Sequence, residues 1–174
     1  MKTYTNGYVA NRVLRQNVGF LLADGPGHSH AISFDVPAIR VAEDVDLAYI
    51  RGPLRLSRTK EGILVQGTLQ VGLDEECNRC LDPLLVNEAI TVEELYPYPS
   101  PVDTEYSISD DCMLDLAPLI RAEAIIIDSH GELCREDCKG LCPDCGTNWN
   151  HATCACADDR IDPRMAKLKL LLQR

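Results

Sequence analysis

Apolar residues recur along this chain with two different periods, and the period changes mark where the elements fall. Near the start, Val9, Val13 and Val18, with Leu14 beside them, fit a short amphipathic helix that ends around Gly19. The stretch from Gly25 to His30, with Pro26 inside it, reads as a loop. Ile32, Phe34 and Val36 then alternate with polar residues up to Pro37, which is the pattern of a half-buried strand. From Val45 to Arg58 the chain alternates again, and Thr59-Lys-Glu-Gly62 carries a hairpin-turn signal. Ile63, Val65, Gly67, Leu69 and Val71 share one face of the returning strand. A second strand pair straddles a knuckle formed by Cys77 and Cys80, with residues 83–95 leading away from it. The prediction is an antiparallel, β-rich core, either barrel-like or a curled sheet.

Beyond that core, Tyr96-Pro-Tyr-Pro-Ser-Pro101 breaks regular structure, and the acidic stretch to Asp111 is expected to be a mobile loop. Asp115 can cap a helix whose apolar face holds Leu116, Leu119, Ile120 and Ile127, with Pro118 tolerated in its first turn. Asp162-Pro163 starts a last helix, in which Met165, Leu168 and Leu172 form a stripe beside Lys167 and Lys169. The expected class is α+β with a few helices. Residues 1–111 would form the β-rich body with the N-terminal helix and the knuckle. Residues 112–174 would hold a helix, a cysteine-rich zinc module and a C-terminal helix.

Composition narrows what such a fold can do. The chain has 174 residues, 45% hydrophobic and 25% charged, a balance that suits a globular domain rather than disorder. Phe20, Phe34 and Trp149 are its only Phe and Trp, so aliphatic side chains must fill the core, and broad aromatic platforms for bases are absent. No apolar run reaches membrane-spanning length. The opening MKTYTNGYVANRVLRQ lacks the apolar core of a secretory signal, so the expected compartment is the cytoplasm. There is no glycine-rich phosphate loop, HExxH or GxSxG, so neither an enzyme nor a small-molecule substrate is expected.

Charge is distributed unevenly. The net formal charge is −10, yet residues 1–60 sum to +3, residues 61–159 to −17 and residues 160–174 to +4. An acidic body repels phosphate at long range, so a nucleic-acid contact needs a local basic patch or a partner protein. The candidate basic positions are Arg51, Arg55, Arg58 and Lys60 on the hairpin, and Arg164, Lys167, Lys169 and Arg174 on the last helix.

Nine cysteines are too many for inert packing, and in a reducing compartment they do not read as a disulfide framework. Eight form close pairs: Cys77 with Cys80, Cys134 with Cys138, Cys142 with Cys145, and Cys154 with Cys156, leaving Cys112 over. A CxxC turn brings two sulfurs to one ion, and Cys142-Pro-Asp-Cys145-Gly146 has that form. The segment from Cys134 to Cys156 has few apolar anchors, chiefly Leu141 and Trp149, so burial alone cannot order it. A structural zinc, whose apparent binding energy is about 10–16 kcal/mol, can. Two partitions are open. In the preferred one, Cys142, Cys145, Cys154 and Cys156 close one site, while Cys77, Cys80, Cys134 and Cys138 close another that staples the segment to the sheet. In the rival, a single site uses Cys138, Cys142, Cys145 and one of Cys154 or Cys156. The expected cofactor is therefore one or two Zn²⁺ ions, with His130 and His151 as flanking residues and Trp149 packed over the knuckle. Arg79, inside the first turn, is placed to meet a phosphate, a carbonyl or a carboxylate.

Cys77-Asn-Arg-Cys80-Leu81, the run Cys138-Lys-Gly-Leu-Cys-Pro-Asp-Cys-Gly146, the closing Cys154-x-Cys156 and Ile161-Asp-Pro-Arg164 with its leucine-rich tail together resemble the YceD family. The resemblance implies a non-enzymatic role in accumulation or processing of large-subunit ribosomal RNA and in ribosome assembly. It also implies a structural rather than catalytic metal, and a setting in the bacterial cytosol or in plastids. The implied partner is precursor ribosomal RNA or a large-subunit ribosomal protein, and the net charge suits the second better. The alternative from the thiols themselves is a redox switch or a metal-handling protein.

Overall fold

A computed structural model of the chain describes residues 9–99, 105–128 and 131–156. Its centre is an open five-stranded sheet. Strands β1 (Val9–Ala10), β3 (Ser29–Arg40), β4 (Asp46–Arg58), β5 (Gly62–Glu76) and β6 (Pro83–Pro97) lie in the order β1-β3-β4-β5-β6. Strand β1 joins β3 in parallel, and the other neighbours are antiparallel. The terminal strands β1 and β6 do not meet, so of the two expected forms the open sheet holds and the barrel does not.

Alternation places the core. Phe34 and Val36 of β3, Ile50, Leu54 and Leu56 of β4, Ile63, Val65, Leu69 and Val71 of β5, and Val86, Ile90 and Val92 of β6 are buried on one face. The turn forms as its sequence suggests: the Thr59 amide donates to the Gly62 carbonyl at 2.9 Å, and Thr59 Oγ1 accepts from the Glu61 and Gly62 amides. In β4 and β5 a glycine with positive φ faces the other strand, Gly52 and Gly67; a Cβ on Gly52 would lie 2.6 Å from the Thr68 carbonyl oxygen.

The buried face is covered by a second layer. Helix α1 (Gly19–Asp24), helix α2 (Ala117–Asp128) and a two-stranded ribbon of β2 (Arg15–Asn17) with β7 (Met113–Asp115) supply Leu21, Leu114, Leu119, Ile120 and Ala124 to the core, and the residues flanking them add Leu14, Val18 and Leu116. Tyr96, fully buried, ties the layers: its hydroxyl donates to the Asp115 carbonyl at 3.1 Å. Asp115 accepts from the Ala117 amide at 2.9 Å and so starts α2, with Pro118 in the first turn.

Three expectations are corrected. The helix over Val9–Val18 is instead β1, a 3₁₀ turn over Asn11–Leu14 and then β2, and the α-helix begins only at Gly19. Residues 15–17 find ladder partners in Met113–Asp115, nearly a hundred residues on, and that pairing overrides a weak local helical pattern rich in β-branched valines. The loop before β3 is also shorter than expected, since Ser29 and His30 already pair with Ser57 and Leu56. Part of the acidic stretch is ordered: Ile108 is buried and bridges Leu114. The expected C-terminal helix from Asp162 lies outside the described residues. No helix among the described residues is long and apolar enough to cross a membrane.

Candidate metal centres and the surfaces around them

Strand β5 ends at Glu76 and β6 begins at Pro83, so the hairpin that joins them is the Cys77–Cys80 knuckle. Its turn is closed by the Leu81 amide donating to the Cys77 carbonyl and by the Cys77 amide donating to the Asp82 carbonyl, both at 2.9 Å. The segment after α2 is drawn to this turn by the Asn78 amide, which donates to the Glu132 carbonyl at 3.0 Å and brings Cys134 and Cys138 over the knuckle. The result is a tetrad of Cys77, Cys80, Cys134 and Cys138 whose sulfurs all lie within 4.8 Å of one another. Three of these cysteines are buried and Cys134 is exposed.

Cys142 and Cys145 form the second knuckle, in which the Gly146 amide donates to the Cys142 carbonyl at 2.9 Å and the Cys142 amide to the Thr147 carbonyl at 2.8 Å. The chain then returns to place Cys154 and Cys156 beside them, giving a second tetrad within the same 4.8 Å limit. This one is more open, with Cys145 and Cys156 exposed and Cys154 half-buried. The thiols thus gather as in the preferred partition. Cys138 stands with Cys77 rather than with Cys142, which is not the rival single-site arrangement.

The sulfur spacing fits a divalent ion. Cys77 Sγ and Cys138 Sγ are 3.8 Å apart, and Cys80 Sγ and Cys134 Sγ 3.6 Å. A disulfide needs about 2.05 Å, whereas four sulfurs at about 2.3 Å around a tetrahedral ion have edges of about 3.8 Å. All nine cysteines are free. Donors aim at the sulfurs as well: the Asn150 amide nitrogen lies 3.3 Å from Cys138 Sγ, the Trp149 indole N–H 3.4 Å from Cys154 Sγ, and the Arg79 backbone N–H 3.5 Å from Cys77 Sγ. Crowding sets the thiols against each other. A backbone N–H from Cys134 holds the Cys77 thiol down to about 6, while burial pushes the Cys80 thiol up. The Thr147 hydroxyl holds Cys145 down to about 6, and the neighbouring Cys145 sulfur pushes Cys156 up to about 12. Four thiols this close can ionise together only against a cation.

A carboxylate joins the two centres. Asp82 accepts from the Asn148 side-chain amide at 3.0 and 3.1 Å, from the Cys80 thiol at 3.3 Å, and lies 3.1 Å from His151 Nε2. These contacts, the Cys80 thiol first, hold its carboxyl below the usual range. Backbone bonds run parallel to this stitch, from the Leu141 amide to the Arg79 carbonyl at 3.1 Å and from the Trp149 amide to the Gly140 carbonyl at 3.0 Å. The second knuckle is therefore sewn to the first. Asp82 and Asn148 escape sequence reasoning; their only signal is an Asp two residues after a CxxC pair, which is common.

Other expected site residues separate into groups. His151 contacts Asp82 and is outside both tetrads, and His130 lies outside the described residues. Arg79 donates to the Cys138 carbonyl at 3.2 Å, which selects the carbonyl among its three options. Trp149 is half-buried beside Cys154. Cys112 is half-buried next to Gly19, apart from both tetrads. Of the basic candidates, Arg51, Arg55 and Lys60 are exposed. Arg51 pairs with Asp35 at 2.9 Å and lies over the Tyr49 ring, and Arg55 donates to Ser29 Oγ at 2.9 Å. Arg58 is half-buried, donates to the Gly62 carbonyl at 3.1 Å and lies over the Tyr98 ring. Arg164, Lys167, Lys169 and Arg174 lie outside the described residues.

The fold and thiols define a β-sheet protein with two four-cysteine centres capable of holding metal ions such as zinc, one at the hairpin end and one sewn beside it. The chain belongs to the YceD family: the family model described as "Large ribosomal RNA subunit accumulation protein YceD" matches residues 65–172, a span that holds β6 and all eight clustered cysteines. Among curated proteins it is similar to uncharacterized proteins of Mycobacterium tuberculosis and Mycobacterium bovis. Each is 35% identical over 125 residues, 68% of this chain and 60% of the relative. An uncharacterized protein of Mycobacterium leprae is 32% identical over 163 residues, 84% of this chain and 72% of the relative. The chain thus spans about 60% of the length of the first two relatives. No solved structure matches.

Proposed function

We propose that this protein supports large-subunit ribosomal RNA accumulation, processing and subunit assembly by binding, without catalysis, in the cytoplasm. Its partner is precursor rRNA or a large-subunit ribosomal protein. The observation that carries the binding reading is the outer sheet face. Tyr49, Arg51, Pro53 and Arg55 of β4, Gln66, Thr68 and Gln70 of β5, and Asn87, Ala89, Thr91 and Glu93 of β6 stand on it, all exposed except the half-buried Tyr49 and Gln66. It offers donors and acceptors along its length. Each tetrad would hold one Zn²⁺, whose contribution is to replace the hydrophobic core that residues 131–156 lack. Residues 9–128 act as the body, since β7 and α2 complete its core, and residues 131–156 as the zinc-held part, stapled to it at Cys77 and Cys80. With eight thiolates on two ions the formal charge moves from −10 to −14, which favours a cationic protein surface over bare RNA as the first contact.

Gradient sedimentation of host lysate at low and high salt, with blotting for the protein and probing for precursor rRNA, tests this. Co-migration with large-subunit precursors that falls with salt is the expected result. A protein confined to the top of the gradient at low salt overturns the assembly reading. A second reading, a zinc-thiol redox switch or a metal-handling protein, draws on the exposure of Cys145 and Cys156. It requires reversible metal loss under mild peroxide with change in binding, whereas the assembly reading expects retained metal and unchanged binding.

A further inference from the structure

The two knuckles share one turn hydrogen bond and a left-handed residue after the second cysteine, but that residue differs between them. In each, the amide of the residue after the second cysteine donates to the carbonyl of the first at 2.9 Å, and that residue is left-handed. In the second knuckle it is Gly146, with φ of 72° and open space where a Cβ would stand. In the first it is Leu81, with φ of 59°. A branched side chain in this conformation is strained, and glycine is the residue that relieves it. Leu81 gains only partial burial in exchange, since it is 57% exposed. A strained position that holds a large apolar group in water calls for an explanation outside the fold.

The neighbours of Leu81 continue the apolar surface. Pro83 and Leu85 are exposed on the outer face of β6, Leu85 by 47%, and the chain places Leu85 within about 14 Å of Leu81. Opposite them on β5 stand acids: Glu76 is paired in register with Pro83 and Asp74 with Leu85, and both acids are exposed. Exposed Glu132 adjoins the knuckle through its carbonyl at Asn78. The knuckle's own cation, Arg79, is turned to the Cys138 carbonyl. An apolar strip edged by carboxylates suits one kind of occupant.

We infer that Leu81, Pro83 and Leu85 form a docking strip for a cationic protein segment that seats an apolar side chain on Leu81 and sets its Lys or Arg groups against Asp74, Glu76 and Glu132. The inference deepens the proposed function and rests on it only for the origin of that segment in a ribosomal protein. Phosphate is repelled by the same carboxylates, so RNA is not the occupant.

The test uses the full, zinc-loaded chain and three fluorescent probes read by anisotropy: a peptide alternating Lys with Leu, a peptide alternating Lys with Ser, and a single-stranded RNA of equal length. The Lys/Leu peptide is expected to bind more tightly than the Lys/Ser peptide and to weaken with salt. Leu81→Gly is expected to reduce its affinity about tenfold, the loss from uncovering roughly half a leucine. Metal content and melting temperature should match or exceed those of the wild type, because glycine suits the turn. Leu85→Ser should weaken the same peptide without altering the knuckle. Unchanged peptide affinity in both variants overturns the inference. Loss of metal or a lower melting temperature in Leu81→Gly makes Leu81 a structural residue and also overturns it, as does RNA binding that falls in both variants while the peptide does not bind. In the gradient experiment, wild type and Leu81→Gly co-migrating equally with precursors removes this inference and leaves the proposed function standing. Absence of wild-type co-migration removes the function, and the peptide result still decides the strip.

Discussion

Replacing Gly52 by alanine probes a point where β4 and β5 leave no room for a side chain. The new Cβ would lie 2.6 Å from the Thr68 carbonyl oxygen and 3.3 Å from Leu69 Cα, both backbone atoms that cannot turn aside. Gly52 also has φ of 133°, which a side chain adopts only with strain. Overpacking adds about 1–3 kcal/mol and the backbone strain a further 1–3 kcal/mol, so the variant should lose about 2–6 kcal/mol. Gly25→Ala is the matched control: its φ is 83°, but nothing lies within 4 Å of its Cβ, so it meets the strain alone. The difference between the variants is then the contact, about 1–3 kcal/mol, which for a chain of this size separates their melting temperatures by about 2–12 °C. Thermal unfolding followed by far-UV circular dichroism measures it, with metal content checked in parallel and expected to be unchanged. Equal melting temperatures for Gly52→Ala and Gly25→Ala would refute the close approach of β4 and β5 and, with it, the placing of Arg51 and Arg55 on one outer face.

Three other expectations address the metal centres and the charge pairs. A chromophoric chelator should release metal in two phases, the faster from the open Cys142–Cys145–Cys154–Cys156 tetrad; Cys142→Ser with Cys145→Ser should remove that phase, and its persistence in this variant would contradict the assignment. Asp82→Ala removes the stitch to Asn148 and His151, so amide exchange at Leu141 and Trp149 should quicken while metal at Cys77 and Cys80 is retained; unchanged exchange would show that the backbone bonds suffice. The Arg121 guanidinium beside Asp44 holds that carboxyl below its ordinary value, so the pair stabilises the fold at neutral pH and loses its effect as the pH falls through the lowered value. Asp44→Asn should therefore be slightly less stable than wild type near neutrality, with the gap closing in denaturant titrations below about pH 4; a gap independent of pH would assign the loss to something other than charge.

The strands of the central hairpins were legible because their signals are local. Alternation from Ile32 to Val36 and from Ile63 to Val71 marks the buried face directly, and Thr59 to Gly62 carries its own turn chemistry. The cysteine spacing likewise announces two knuckles, since a CxxC turn needs no distant partner to bring its sulfurs together. Residues 9–18 were misread for the converse reason: Arg15–Asn17 is a strand only because Met113–Asp115 lies beside it, and no local period carries that fact. Which pair of cysteines joins which is also a tertiary decision. Cys77 and Cys138 meet across 61 residues because Asn78 binds the Glu132 carbonyl, a backbone contact without a sequence signature. Asp82 gained its bridging place, and Leu81 its exposed left-handed one, in the same way. Local periodicity and turn chemistry are written in adjacent side chains, so the sequence alone determined strands, turns and thiol pairs. The open sheet, the two tetrads and the strip beside them depend on burial and hydrogen bonds between segments far apart in the chain, and those were decided only when the segments packed.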